Sequence, residues 1–147
     1  MPKLTFPIST IGMECDVLIG LDGATTAALV ASTQAIPMPI RCRGLIDTGT
    51  DVTCVNAVVL RQLGLRHPKK TATTQGATGS ATVDLYKVSA SIQDFHQPQG
   101  PKLVFADLLV MELPTVLPGL DVLIGMDVLL TARFVLEGPQ RQLALEF

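Results

Sequence analysis

The chain has 147 residues, a length that suits one domain with a substantial hydrophobic core. Charged residues make up only 16% of it and the formal net charge is −2, so composition gives no indication of nucleic acid as a partner. The most apolar region, 103–130, is interrupted by acidic residues and prolines and cannot supply the roughly 20 apolar residues of a membrane span.

Short runs rich in Val, Ile, Leu and Thr lie between scattered prolines and glycines, a pattern typical of an all-β protein. In chain order, strands are predicted at 4–11, 14–21, 26–33, 38–46, 52–55, 70–76, 80–92, 103–112, 133–137 and 142–146. We interpret 1–147 as a single domain in which 1–37 adds N-terminal strands, 38–137 carries the motifs and 138–147 supplies a C-terminal strand.

Two short helices are predicted among the strands. In the first, 56–65, Asn56 is suited to cap the N-terminus and Gly64 to take the left-handed position beyond the C-terminus. The second, 126–133, follows Gly125 and carries Asp127 in its first turn, where a negative charge is favoured.

The segment between 70 and 92 is typical of a β-hairpin, because Thr and Val occur on both sides of a small, polar tip. A hairpin with a purely structural role is the alternative to a functional one.

The sequence DVLIGLD at 16–22 nearly repeats as DVLIGMD at 121–127, and we interpret this as a coincidence between strand sequences. The first copy continues into a strand-like run, whereas the second continues into a helix.

An apolar run ends at Asp47 in the sequence GLIDTGTDVTCV, residues 44–55. Asp-Thr-Gly alone recurs by chance, but here a glycine-rich hairpin and then VLIGMD follow it in order. This arrangement resembles the retropepsin-like aspartic proteases, a group with retroviral, retrotransposon and solitary cellular or bacterial members. The resemblance implies an all-β acid protease fold, a closed β-barrel with one or two short helices and one lobe per chain.

The resemblance also implies hydrolysis of peptide bonds by a pair of carboxylates that shares one proton and activates a water molecule. Because this chain carries the motif once, the second carboxylate would come from a second copy in a homodimer. Neither a metal nor an organic cofactor is expected. The chain ends of such dimers often form a sheet between subunits, so 138–147 is expected at the dimer interface.

The catalytic residues implied by the resemblance are Asp47, Thr48 and Gly49. The Thr48 hydroxyl would cross the twofold axis, and the Gly49 amide can approach the carboxylate because glycine lacks a Cβ. Thr50 could donate a hydrogen bond that favours the charged carboxylate. Asp51 would meet the substrate main chain, although many retroviral relatives carry a partner arginine where this chain has Met126.

The remaining substrate-binding residues implied by the resemblance lie in the hairpin tip and in the second landmark. They are Gly76, Ala77, Thr78 and Gly79, as a flap over an extended peptide, and Leu123, Ile124 and Gly125, behind the catalytic loop and beside the inner pockets. Apolar pockets would favour peptide or protein substrates with hydrophobic residues around the cleaved bond.

Two other classes of function stay open. One is a catalytically silent dimeric peptide-binding or adaptor domain of the same fold, and the other is an unrelated β-barrel binding protein. The intact Asp-Thr-Gly argues for an enzyme.

Cys15, Cys42 and Cys54 lack metal-site spacing and are interpreted as small buried thiols. Together with the absence of an apolar secretion signal in 1–10, they predict a cytoplasmic protein.

Overall fold

The computed structural model describes residues 1–113, 115 and 117–147. Within these ranges the elements follow the order β1 Lys3–Pro7, β2 Glu14–Leu21, α1 Gly23–Ala31, β3 Ile40–Ile46, β4 Cys54–Asn56, α2 Ala57–Gln62, β5 Lys70–Gly76, β6 Gly79–Gln93, β7 Lys102–Leu113, β8 Val122–Ile124, α3 Met126–Leu129, β9 Arg133–Glu137 and β10 Gln142–Glu146. No helix in the described part of the chain is long and apolar enough to cross a membrane.

Six strands close into a barrel. Hydrogen-bonded neighbours run in the order β2-β3-β8-β4-β7-β6, and β6 also pairs with β2, which completes the ring. The pairs β3–β8 and β4–β7 are parallel, and the other pairs of the ring are antiparallel. The predicted all-β fold with a closed barrel is therefore confirmed. The segment 1–37 contributes β2 to the barrel itself.

The barrel interior is filled by every second residue of its strands, as expected for a sheet with one buried face. In β2 the buried residues Cys15, Val17 and Ile19 alternate with half-buried ones. α2 adds Val59 and Leu60 to the same apolar cluster. Asn56 caps α2 as predicted, since its side chain accepts a hydrogen bond from the Val58 amide at 2.9 Å.

A second sheet joins the two ends of the chain in the order β1-β10-β9, with both pairs antiparallel. On one face Leu143 and Leu145 are fully buried in the core cluster of the barrel. Because β10 lies between β1 and β9, both of its hydrogen-bonding edges are used within the chain. Any contact that 138–147 makes with another subunit must therefore use side chains rather than the β10 backbone.

The prediction of a strand at 26–33 is wrong, because these residues lie largely in α1. Thr25, Thr26 and Val30 suggest a strand, but four alanines between 24 and 31 favour a helix. Asp22 begins that helix by accepting hydrogen bonds from the Thr25 amide at 3.1 Å and from its hydroxyl at 2.6 Å. The first copy of the DVLIG repeat is thus followed by a helix, and the expected strand-like continuation is corrected.

Burial and capping oppose each other at Asp22. Burial is the largest single influence and raises the pKa of this carboxyl, but the hydrogen bonds from the Thr25 hydroxyl and amide, the charge of Lys69 and the Ala24 amide together outweigh it, so its pKa lies below the ordinary value.

The two copies of the DVLIG repeat differ in the sheet, since β2 pairs antiparallel with β3 whereas β8 pairs parallel with it.

Three predicted elements are shorter than expected, among them the helix predicted at 56–65, which ends at Gln62. The strand predicted at 4–11 ends at Pro7, because the Ser9 amide donates to the Gly12 carbonyl at 2.9 Å and closes a turn. The helix predicted at 126–133 ends at Leu129, and Arg133 already begins β9. The remaining predicted strands are present, with ends shifted by no more than two residues.

Candidate active site

Two parallel strands bring the Asp47 loop and the second landmark to one end of the barrel. Leu45 is paired with Leu123, and Ile46 with Ile124, in the β3–β8 ladder. The ladder ends where the Asp47 amide donates a hydrogen bond to the Ile124 carbonyl at 2.9 Å. Residues 77 positions apart in the chain, such as Asp47 and Ile124, thereby become neighbours.

The Asp47 carboxylate is half-buried and held by its own loop. Oδ1 accepts a hydrogen bond from the Gly49 amide at 2.9 Å, and Oδ2 accepts one from the Thr50 hydroxyl at 2.6 Å. A Cβ on residue 49 would lie 3.2 Å from Oδ1, so glycine permits the close approach. The two bonds orient the carboxylate, with one donor at each oxygen.

Gly125 lies directly behind this loop. A Cβ at this position would come within 2.8 Å of the Thr50 carbonyl oxygen and 2.9 Å of the Thr53 nitrogen, both of them backbone atoms. The next two amides fasten the loop: Met126 N–H donates to the Thr50 carbonyl at 2.8 Å, and Asp127 N–H to the Asp51 carbonyl at 3.0 Å. Only glycine fits here without moving the backbone that carries Asp47.

Thr53 and Asp127 form a second fastening that sequence reasoning missed. The Thr53 hydroxyl donates to Asp127 Oδ1 at 2.7 Å, and the Thr53 amide lies 3.0–3.1 Å from both carboxylate oxygens. The same hydroxyl accepts a bond from the Gly125 amide at 3.1 Å. From the sequence, Asp127 is expected only in the first turn of a helix. The signal available in the sequence is a threonine directly before the apolar pair Cys54 and Val55, and in the structure that threonine is completely buried.

Thr48 and Asp51 are exposed at the surface of the loop. In the described ranges their side chains make no hydrogen bond or ion pair within the chain.

Leu123 and Ile124 point to opposite sides of β8. Leu123 is half-buried, whereas Ile124 is 2% exposed and belongs to the core cluster. Ile124 therefore supports the loop from inside the barrel. Leu123 is the residue of this pair whose side chain is partly accessible.

The hairpin of β5 and β6 ends in the predicted tip. Gly76 is paired with Gly79 across Ala77 and Thr78, and Gly79 has a φ of +124°, which favours glycine. All four tip residues are exposed. None of the hydrogen bonds in the described part of the chain joins the tip to the Asp47 loop, so the structure unites the loop with 123–125 but leaves the tip separate.

Two clefts lie away from Asp47. One, of about 330 Å³, is formed by β1, the start of β2 and residues Asp94 and His96, and the other, of about 350 Å³, lies between α2 and β6. Among the described residues, no group of three or more His, Cys, Asp or Glu side chains is arranged to hold a metal ion.

The three cysteines are free and buried, as predicted. Burial, followed by the charges of Asp127 and Asp47, raises the pKa of the Cys54 thiol to about 11. Cys54 therefore remains a neutral thiol beside the loop at physiological pH and is no candidate for a nucleophile.

A protein-family model described as "Aspartyl protease" matches residues 39–128, which is more than half of the chain and includes both landmarks. A search of curated proteins gave no match. The crystal structure of a retropepsin-like aspartic protease from Rickettsia conorii is similar, with a TM-score of 0.58 and 12% identity over 97% of this chain and 89% of that chain.

A second similar structure is the solution structure of Simian Foamy Virus (mac) protease, with a TM-score of 0.45 and 16% identity over 80% of this chain and 91% of that chain. At these identities the comparison with the Rickettsia structure concerns the fold, which is the retropepsin-like one expected from the sequence.

Proposed function

This chain belongs to the aspartyl protease family, and from that premise we propose that it is an aspartic endopeptidase that works as a homodimer. The observation that carries the proposal is the geometry of Asp47, whose carboxylate accepts hydrogen bonds from Gly49 and Thr50 while staying partly accessible. The two local donors orient the carboxylate, and its half-buried position leaves room for it to meet another group.

In the proposed mechanism, Asp47 of each subunit stands on one side of the twofold axis. Two carboxylates about 3 Å apart do not both ionise readily, so the pair holds one proton. The ionised member removes a proton from a water molecule, which attacks the peptide carbonyl, while the neutral member donates a hydrogen bond to the carbonyl oxygen. The member that took the proton then passes it to the amide nitrogen, the C–N bond breaks, and the pair again holds one proton. The reaction proceeds without a covalent intermediate and uses no group outside the pair.

Dimerisation is part of this proposal because one chain supplies one such carboxylate. Thr48 is exposed next to Asp47 and has no hydrogen-bond partner in the described part of its own chain. We assign its hydroxyl to a contact across the axis, which would hold the two loops in register. Gly49 contributes the amide that orients the carboxylate.

The substrate is proposed to be an extended peptide between the loop and the β5–β6 hairpin. The tip residues Gly76–Gly79 would offer backbone groups to it, in the manner of strand addition. Thr50 and the exposed Asp51 would lie along its main chain, and the accessible side of Leu123 would favour hydrophobic side chains near the cleaved bond. Ile124 and Gly125 would act from behind, by supporting the loop.

The test is cleavage of a peptide library between pH 3 and 8, with Asp47→Asn as the matched variant, together with sedimentation to measure the oligomeric state. We expect cleavage by the native chain, none by Asp47→Asn, and a dimer in the active sample. Cleavage that survives Asp47→Asn would contradict the proposal. Peptide binding without cleavage in both proteins would instead favour the catalytically silent adaptor. The predicted cytoplasmic location stays a prediction.

A further inference from the structure

The outer edge of β9 is an unpaired strand edge in the described part of the chain. β9 bonds to β10 on one side only, and it is the last strand of the sheet β1-β10-β9. Exposed edges are usually protected by proline or by irregular backbone. The opposite edge of this sheet, β1, ends in Pro7, which lacks an N–H donor. β9 contains no proline, its pairing with β10 shows no register shift, and its charges are confined to its two ends, Arg133 and Glu137.

The sequence of β9 is complementary to itself when it runs antiparallel to a second copy. In the segment Arg133-Phe134-Val135-Leu136-Glu137, pairing centred on Val135 places Arg133 opposite Glu137 of the second copy, and Phe134 opposite Leu136. The twofold axis repeats both pairs. Opposite charges and apolar residues therefore meet twice, which is the pattern that stabilises neighbouring strands.

The side chains are available for these contacts. Leu136 is 54% exposed although it lies on the face of the sheet that is otherwise buried, because no strand covers it beyond β9. Glu137 is exposed and has no ion pair among the described residues. Arg133 donates to Glu146 through Nη1 at 2.9 Å, but its side chain is 72% exposed and keeps other donors free.

The edge also lies on the part of the chain that follows the candidate active site. Only seven residues, 126–132, separate Gly125 from Arg133, and the first of them are bonded to the Asp47 loop. Two other strand edges are unpaired in the described part of the chain: β5, Lys-Thr-Ala-Thr-Thr-Gln-Gly, and β1, Lys-Leu-Thr-Phe-Pro, and neither contains an acidic residue that could face a lysine of a second copy. Self-pairing through an ion pair is therefore specific to β9.

We propose that two copies of the chain join edge to edge through β9, in the register centred on Val135, and form one continuous six-stranded sheet across the twofold axis. This inference rests on the proposed homodimer and names the backbone and side-chain contacts that build it. A shift of register by two residues would separate Arg133 from Glu137, so the charges fix the alignment.

A mixing experiment tests the ion pairs. Glu137→Arg alone places arginine opposite arginine twice, and Arg133→Glu alone places glutamate opposite glutamate twice. We expect each variant to raise the dimer dissociation constant at least about tenfold by sedimentation. An equimolar mixture of the two restores both opposite-charge pairs in the heterodimer, so dimers and peptide cleavage should return on mixing. A chain that failed to fold would not recover in this way.

A disulfide tests the register. Residues directly opposite in an antiparallel pair have Cα atoms about 4.5–5.5 Å apart, within disulfide range. Val135→Cys should therefore form a covalent dimer on mild oxidation, whereas Glu137→Cys, whose two copies would lie about 13 Å apart along the strands, should not. The native chain, with its buried cysteines, is the background control.

The outcomes separate this inference from the proposed function. A native dimer that cleaves peptides and tolerates Glu137→Arg, or that cross-links equally well through residues 135 and 137, overturns the β9 interface and leaves the protease intact. A native chain that stays monomeric and cleaves nothing at high concentration overturns the protease and the interface together.

Discussion

Thr53 and Asp127, 74 residues apart in the chain, are joined by hydrogen bonds from both the amide and the hydroxyl of Thr53. The Asp127 carboxylate also accepts the Val128 amide at 2.9 Å, and the Thr53 hydroxyl accepts the Gly125 amide at 3.1 Å. One buried threonine thus connects the end of the Asp47 loop to the start of α3. The position of the candidate catalytic carboxylate depends on this connection.

Replacing Thr53 by valine should lower the free energy of unfolding by about 1–3 kcal/mol, because the Gly125 amide loses its acceptor in a buried site. Urea unfolding measures the change. Thr53→Ser keeps the hydroxyl and is expected to lose clearly less stability. In a double-mutant cycle with Asp127→Ala, the double variant should lose less stability than the sum of the losses in the two single variants. A loss equal to that sum would mean that the two residues do not act together.

Gly125→Ala should be destabilising by about 1–3 kcal/mol or more, because its Cβ would meet the backbone of residues 50–53 at under 3.0 Å. Gly138→Ala is the matched control: nothing lies within 4 Å of the added Cβ, and no left-handed backbone is involved. Both variants are compared by urea unfolding. Equal stability of the two alanine variants would refute the steric argument.

Most of the fold could be predicted from the sequence where local patterns agree with the final structure. The alternation in β2 and β6 and the Asn56 cap of α2 are local signals, and the structure contains them. α1 was missed because its β-branched residues favour a strand, while the deciding factor is the cap formed by Asp22 and Thr25 at the end of β2.

The candidate site was predictable in part for a different reason. Asp47, Thr48 and Gly49 are adjacent in the sequence, so a motif can reveal them. The pairing of Thr53 with Asp127 and the packing of Gly125 against the Thr50 carbonyl arise only when β3 and β8 become neighbours. The self-complementarity of β9 is present in its sequence, but it gains meaning only once its outer edge is known to be unpaired.

Cys54 should react slowly with thiol reagents in the native protein, since it is 4% exposed and its pKa is raised to about 11 by burial, Asp127 and Asp47. At pH 8 we expect little labelling of any of the three cysteines until the chain is unfolded. The raised pKa of Cys54 also makes the stability of the fold depend on pH. The unfolded thiol ionises near 9.0, so the stabilisation from the neutral native thiol is complete below that pH and is lost as pH rises toward 11.

Asp47→Asn should lower peptide cleavage by at least about 10²–10⁴-fold, because the amide can neither take a proton from water nor share one with a second carboxylate. The fold should persist, since an asparagine oxygen can still accept the Gly49 amide and the Thr50 hydroxyl can accept from the new amide group. Equal melting temperatures with lost cleavage are the expected result. Retained cleavage would place the chemistry elsewhere.

Thr50→Ala should lower kcat/KM for peptide cleavage by about tenfold, because the Asp47 carboxylate loses one of the two hydrogen bonds that orient it. The Thr50 hydroxyl donates to Asp47 Oδ2 at 2.6 Å, and no other donor to that oxygen lies in the described part of the chain. Thr50→Ser keeps the donor and should keep nearly the native rate. The readout is kcat/KM for one peptide, with the dimer confirmed by sedimentation and the fold by urea unfolding. A native rate in a folded, dimeric Thr50→Ala would mean that the hydroxyl does not position the carboxylate.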